Sequence, residues 1–410
     1  MRVALAGGGI VGICTAIALR ERKIDVTVFE PEEPAVRTIG GSACYLSPGE
    51  IFPLAHPQVL RALPELLFSR SGPLVIRASH LPHLVGWGMR FLAAARPANV
   101  ARGVAALSAL NARANDATFA LAHRAGANAY LERSGGIHVA RDTATLQALR
   151  ESADAIAAAG MRVEALDGAQ LREREPALAP GLAGGLLLPG DARVRDPIRF
   201  GARLAAYLRE LGGSIVRRRV DALAPAAGGG WSVSSSQDLF THAIVTAGAW
   251  SHELLRPLGY TVPLDTERGY NVTLPEPGVA LNHPLVFAES RIAMTPLDYG
   301  LRVTGTVEFA GLRAAPDWRR SDMLVRMAQD YLPGVRCEDA TRWMGFRPAL
   351  PDALPAIGGA ARHGELFYAF GHEHLGFTQA AITAECVAAL LAGEPPAVDL
   401  RPFDLERFHR

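Results

Sequence analysis

The sequence predicts an α/β protein with α+β character, in which a parallel-sheet domain is interrupted by a second domain of mixed sheet and helices. Two observations predict it. Residues 3–30, VALAGGGIVGICTAIALRERKIDVTVFE, read as strand, glycine turn, helix and strand, ended by an acid. Related signals return in the middle of the chain, THAIVTAGAW, and near its end, ELFYAFGHEHLGFT with a helix after it. Different patterning lies between them, so one domain is expected to be assembled from distant segments.

In chain order, an apolar run from Val3 to Ala6 enters a cluster in which Gly7, Gly9 and Gly12 have the spacing G-x-G-x-x-G. Gly7 permits the tight turn, Gly9 lets the backbone approach a pyrophosphate, and Gly12 lets the helix pack on the strand. The helix then opens at Ile10 and Val11, whose end of the helix faces the phosphates. A second β-branched run, Ile24 to Phe29, ends at Glu30, which suits a ribose hydroxyl and repels a 2′-phosphate. The unit is a Rossmann-type βαβ fold for an adenine dinucleotide. Reading Val3 to Leu19 as a membrane segment or leader fails: the run is short, carries four glycines and has only Arg2 before it. Cys14 and Ala16 within the helix read as small packing residues.

PEEPAVRTIGGSACYLSPGEIFP is rich in turn formers and reads as a loop returning over the nucleotide. Residues 57–131 read as largely helical. DTATLQALRESADAIAAAG is a capped helix ended by Gly160, and the helix PIRFGARLAAYLRE stops at Gly212–Gly213. From Val262 to Gly311 strand-like alternation dominates, as in GYNVTL, RIAMTP and LRVTGTVEF, before the helix SDMLVRMAQDYLPG. Residues 1–50, 143–255 and 340–410 are expected to form the nucleotide domain. Residues 51–142 and 256–339 then form the second domain, with the site at the interface.

A chain of 410 residues is long enough for two or three domains. A net charge of +1 gives no nucleic-acid footprint. Cys14, Cys44, Cys337 and Cys386 are scattered, without C-x-x-C, which argues against a zinc or disulfide framework and suits a reducing compartment. No carboxylate–histidine pattern surrounds His372 and His374, so no metal is expected.

Four further stretches carry a resemblance: THAIVTAGAWS, WMGFRPALPDALPAIG, FGHEHLGFTQAA and LRVTGTVEFAG. With the N-terminal fingerprint, SPGEIFPLAHP and GYNVTLP, they make the chain similar, over almost its whole length, to the FAD-dependent D-amino-acid oxidase superfamily. Within it the chain resembles the bacterial D-amino-acid dehydrogenase branch, with glycine and sarcosine oxidases as cousins. The resemblance implies FAD as cofactor, held by Gly7, Gly9, Ile10, Val11, Gly12 and Glu30. It adds Ser42 and Ala43 in the loop crossing the flavin, Val220 beside the adenine, and Gly248 in the second dinucleotide motif. The turn Gly371 to Thr378, with His372, Leu375, Gly376 and Phe377, would face the flavin pyrimidine end. Arg347, within GFRP, matches the arginine that clamps a substrate carboxylate. Tyr270, Tyr45 and His374 are further pocket candidates.

Two departures stand out. Ser-Ala-Cys-Tyr replaces the usual Asn-Ala-Gly-Gln before a proline, so Tyr45 would reshape the pocket mouth. His-Glu-His-Leu-Gly replaces His-Gly-Thr-Leu-Gly, so Glu373 and His374 add charge near the substrate.

The reaction implied is oxidation of the C–N bond of a small amino or imino acid. Hydride passes to flavin N5, and the imine is hydrolysed to a 2-oxo acid. Such chemistry depends on position more than on a side-chain base, which fits the absence of a Ser–His–Asp or Cys–His pattern. Implied partners are the substrate and an electron acceptor: a quinone, another carrier, or oxygen. The expected location is cytoplasmic, with peripheral contact at the inner face of the cytoplasmic membrane left open. The alternatives are an oxygen-using glycine/sarcosine-type oxidase and a flavoprotein subunit without turnover of its own. An NAD-dependent dehydrogenase accounts for the first 30 residues only.

Overall fold

The computed structural model describes residues 1–68 and 73–409. The strand Arg2–Ala6 sits inside a six-stranded sheet whose order is 214–216, 25–29, 2–6, 242–245, 366–370 and 356–359. All its pairings are parallel except the last, where Ala356–Gly359 runs antiparallel to Leu366–Phe370. Residues Val3 to Ala6 are buried on both faces, as a sheet covered on two sides requires. On one face lie the helices Ile10–Glu21, Pro197–Glu210 and Gly376–Leu391, which share one apolar cluster with Val3 and Leu5. A Cβ at Gly12 would overlap the Gly7 carbonyl, so glycine sets how closely the first helix packs. On the other face Phe29, Trp231 and Phe240 join a second cluster beneath a three-stranded antiparallel sheet.

The second sheet has nine strands among the described residues. It runs 341–349, 265–274, 300–309, 292–297, 285–287, 136–140, 184–188 and 164–167, with Leu74–Ile76 parallel beside 300–309. The long antiparallel pair Asp265–Leu274 and Gly300–Phe309 forms its middle, and Thr341–Ala349 is its edge. The helix Arg319–Tyr331 covers one face, burying Leu324, Ala328 and Tyr331 with Val272 and Val303. The other face turns toward the nucleotide sheet.

The expected domain partition needs correction at three places. Strands 164–167, 184–188 and 341–349 lie in the second sheet, not in the nucleotide domain. The helices Pro97–Asn111 and Ala114–Ala125, expected in the second domain, bury Leu107, Leu110 and Leu121 in the nucleotide-side cluster with the last helix. Periodicity marks a strand or helix but does not name its partner, and here the partners are distant in sequence. The capped helix is as read: Asp142 accepts the Thr145 N–H at 2.8 Å and the chain turns away at Gly160, φ +87°.

Candidate active site

A cavity of about 960 Å³ runs between the two sheets. Its nucleotide end is made by the first βα turn. Gly7 has φ +111°, and a Cβ there would lie 2.5 Å from the Thr246 carbonyl oxygen, so only glycine lets the two parallel strands end so close together. The Ile10–Glu21 helix has no side-chain cap and no acid in its first turn, so its first N–H groups remain free for an anion. Glu30 is oriented by the N–H groups of Gly8 at 2.8 Å and Glu32 at 3.0 Å. Burial pushes its carboxyl up, against the pull of those two donors. Val220, Ala247 and Gly248, the last at φ +54°, complete this end.

The middle is crossed by residues 41–45. Two buried side chains of the second sheet hold this loop: Asn271 donates to the Gly41 carbonyl at 2.7 Å and Arg302 to the Ser42 carbonyl at 2.8 Å. Ser42 and Ala43 line the cavity. Opposite, the last helix begins at Gly376 with neither cap nor acid, and Gly371, His372, Leu375, Gly376 and Phe377 line the wall before it. His372 is buried and within 3.1 Å of the Thr383 hydroxyl, and burial pulls its pKa to about 3, so the ring stays neutral.

At the far end Arg347 projects from strand 341–349 and donates to the Thr306 carbonyl at 3.2 Å. Its strand neighbour on 265–274 is Glu267, directly opposite in register. Glu373 joins them from the turn before the last helix, where its N–H bonds the Pro348 carbonyl at 3.1 Å. His374 opens into the same space, 39% exposed and 4.0 Å from Glu373, and partial desolvation lowers its pKa.

Several sequence expectations are corrected. Tyr270 is not in the cavity. It is fully buried on the opposite face of its strand, donates to Glu308 at 2.6 Å and accepts the Asp317 N–H at 2.9 Å. Side chains alternate along a strand, so Glu267 and Gly269 face the cavity while Arg268 and Tyr270 turn away. Thr378 does not line the cavity; its hydroxyl accepts the Ser47 N–H at 3.3 Å and ties that loop to the last helix. Gly12 serves packing, as its spacing implied, and does not line the cavity either. Tyr45 lines the wall, but its hydroxyl is spent on buried Asp191.

Sequence reasoning missed Glu267, Gly269, Trp343 and Arg291, all of which line the cavity. The signal for the first two was the alternation within DTERGYNVTL, which puts Glu267 and Gly269 on one face and Arg268 and Tyr270 on the other. Cβ atoms at Gly41 and Gly345 would overlap the Trp343 ring, so these glycines let the indole lie flat on backbone. Arg291 sits in the turn between strands 285–287 and 292–297, which no pattern joined to the site.

Fold and cavity define a two-sheet flavoprotein oxidoreductase, with a dinucleotide cradle at one end and a charged pocket at the other. The chain belongs to the DAO family of FAD dependent oxidoreductases, whose pattern it matches over residues 2–390. It is 34% identical over 421 residues to a D-amino-acid oxidase of Bradyrhizobium diazoefficiens, covering 99% of this chain and 98% of that one. It is 32% identical to a D-amino acid dehydrogenase of Methylobacterium sp. strain 4-46, covering 100% of both. Among solved structures, glycine oxidase from Geobacillus kaustophilus superposes with TM-score 0.74 at 23% identity, over 99% of this chain and 98% of that one. L-proline dehydrogenase from P. horikoshii gives 0.75 at 15%, over 100% and 98%, a likeness of fold.

FAD is therefore the cofactor, and the residues present fit it: a glycine turn that no Cβ could enter, uncapped helix ends, and an oriented carboxylate. Among the described residues no cluster of His, Cys, Asp and Glu is arranged to hold a metal. No described helix is long and apolar enough to cross a membrane.

Proposed function

We propose that this protein is an FAD-dependent D-amino-acid dehydrogenase or oxidase whose substrate lies against Arg347. The observation that carries the reading is a partly buried guanidinium in the cavity wall, with one backbone carbonyl, that of Thr306, as its hydrogen-bond partner among the described residues. A carboxylate entering this site replaces its water with charge-assisted bonds from the planar fork. FAD, when bound, would supply the acceptor for one hydride, which carries both electrons of the oxidation. Arg347 holds the substrate, and the apolar walls exclude water. His372 and His374 stay neutral, and neither is placed as a base. The substrate range includes small D-amino acids, cyclic imino acids and N-substituted glycines. The test is anaerobic flavin bleaching by amino acids of both enantiomeric series. Bleaching by the D series supports the reading, and none by any amine overturns it.

We further propose that electrons leave to a quinone at a membrane surface rather than to oxygen. The helix Leu81–Ala94 exposes Leu81, Val85, Met89 and Leu92 along one stripe. From Leu66 to Asn115 the sequence carries Arg70, Arg77, Arg90, Arg96, Arg102 and Arg113 and no acidic residue. An exposed apolar stripe on a basic segment suits an anionic lipid surface. Rapid peroxide formation in air-saturated buffer would make the protein an oxidase instead.

A further inference from the structure

Arg347 is outnumbered in its own pocket. Glu267 is 6% exposed and Glu373 is 9% exposed, and both line the cavity beside it. Neither carboxylate has a hydrogen bond among the described residues. Glu267 has no ion pair there, and Glu373 has only His374, at 4.0 Å. Buried polar groups are normally satisfied, and an isolated buried carboxylate costs far more than a neutral group. Two such groups opening into one cavity mark a place where something positively charged is missing.

The charge balance says how much. When a substrate carboxylate engages Arg347, that guanidinium is spoken for and the two glutamates stay uncompensated. His374 is 39% exposed and reaches Glu373 only at 4.0 Å, and desolvation lowers its pKa, so it is not a standing counter-charge for the pair. Glu50 also lines the cavity, with His138 3.6 Å from its carboxylate, and Arg291 lines it from the turn before strand 292–297. The α-amine does not supply it either. Loss of hydride from the α-carbon uses the nitrogen lone pair, so the amine reacts uncharged. The missing cation therefore belongs elsewhere on the substrate.

We propose that Glu267 and Glu373 form an acidic subsite that receives a second cationic group, so that the preferred substrates are basic amino acids carrying a side-chain amine or guanidine. This rests on the amino-acid oxidation proposed above and names its substrate class. Burial raises both carboxyls, with Asp265 adding to it at Glu267 and Glu267 adding to it at Glu373, against the pull of Arg347; a cation arriving between them favours the charged form. Neutral amino acids of equal length leave the pair to be held by protons.

The experiment compares kcat/KM for D-lysine, D-norleucine and D-glutamate, which differ mainly in side-chain charge. The expected order places D-lysine first, by roughly 10- to 100-fold over D-norleucine, the range of a hydrogen bond to a charged group. Glu267→Gln and Glu373→Gln each lower that ratio while FAD content is unchanged. Because a core variant can misfold, the wild-type holoenzyme is also titrated with 5-aminopentanoate and pentanoate, followed by the flavin spectrum. Tighter binding of the aminated acid is expected. A preference for D-norleucine or D-glutamate, an unaltered ratio in both variants, or equal binding of the two acids overturns the subsite and leaves amino-acid oxidation standing. Bleaching by no amino acid of any class overturns both.

Discussion

Gly269 and Arg347 occupy adjacent antiparallel strands, and a Cβ at Gly269 would fall 2.9 Å from Arg347 Nη1 and closer still to Cζ. The glycine is the floor on which the guanidinium rests. In Gly269→Ala the strand can stay in place, because the obstructed atoms are the far end of a flexible side chain. The guanidinium must move. The expected outcome is a nearly unchanged melting temperature, normal FAD content, and kcat/KM lowered by about 100-fold, as for misplacement of a positioning group by about 1 Å. A full-activity variant would show that Arg347 does not set substrate position.

Arg347→Ala is expected to cost about 2–5 kcal/mol of substrate binding, since it leaves the carboxylate without its charged partner. That is roughly 30- to several-thousand-fold in kcat/KM. Arg347→Lys recovers part, because an ammonium lacks the planar fork. The check compares a carboxylated amine with its decarboxylated analogue; equal slowing of both would make Arg347 structural.

Asp191 is buried beneath Tyr45 and Ser47, and burial raises its carboxyl to about 8. The folded state therefore holds a proton that the unfolded chain releases near 4. More protons are bound folded than unfolded between those values, so this group makes stability fall as pH rises from about 4 to about 8. Asp191→Asn should flatten that part of the melting-temperature profile. An identical slope in the variant would rule the group out as its source.

FAD is expected to be held without a covalent bond. Cys14, Cys44 and Cys386 are buried, and no cysteine lines the cavity among the described residues. Acid precipitation should leave the flavin in the supernatant, whereas yellow colour in the pellet would mean a covalent link.

Vesicles test the exposed stripe. The protein should sediment with vesicles rich in anionic lipid, less so with neutral ones, and less in high salt. Val85→Glu combined with Met89→Glu should abolish sedimentation without altering flavin content. Sedimentation that survives both changes would place any lipid contact elsewhere.

The nucleotide end was legible because its parts are local. Gly7, Gly9, Ile10, Val11 and Glu30 lie within one βαβ unit, and short-range backbone geometry fixes them once the strand and helix form. The GFRP arginine was singled out through family resemblance, and its side chain lies in the cavity wall. Tyr270 was misplaced because a strand presents alternate residues to opposite faces. Which face meets the cavity depends on a sheet whose pairings join residues as distant as Asp265 and Ala349, and on a bulge between Arg268 and Tyr270.

The sequence by itself determined the cofactor cradle and the family and singled out Arg347, since each is written in a contiguous motif. Only the tertiary structure decided what surrounds that arginine. Glu267 reaches it through antiparallel pairing, Glu373 through a turn 26 residues farther along, and Gly269 by having no side chain where the guanidinium lies. The physical reason is that a pocket's charge belongs to groups brought together by strand register and packing. Nothing in the local sequence of any one of them specifies the others.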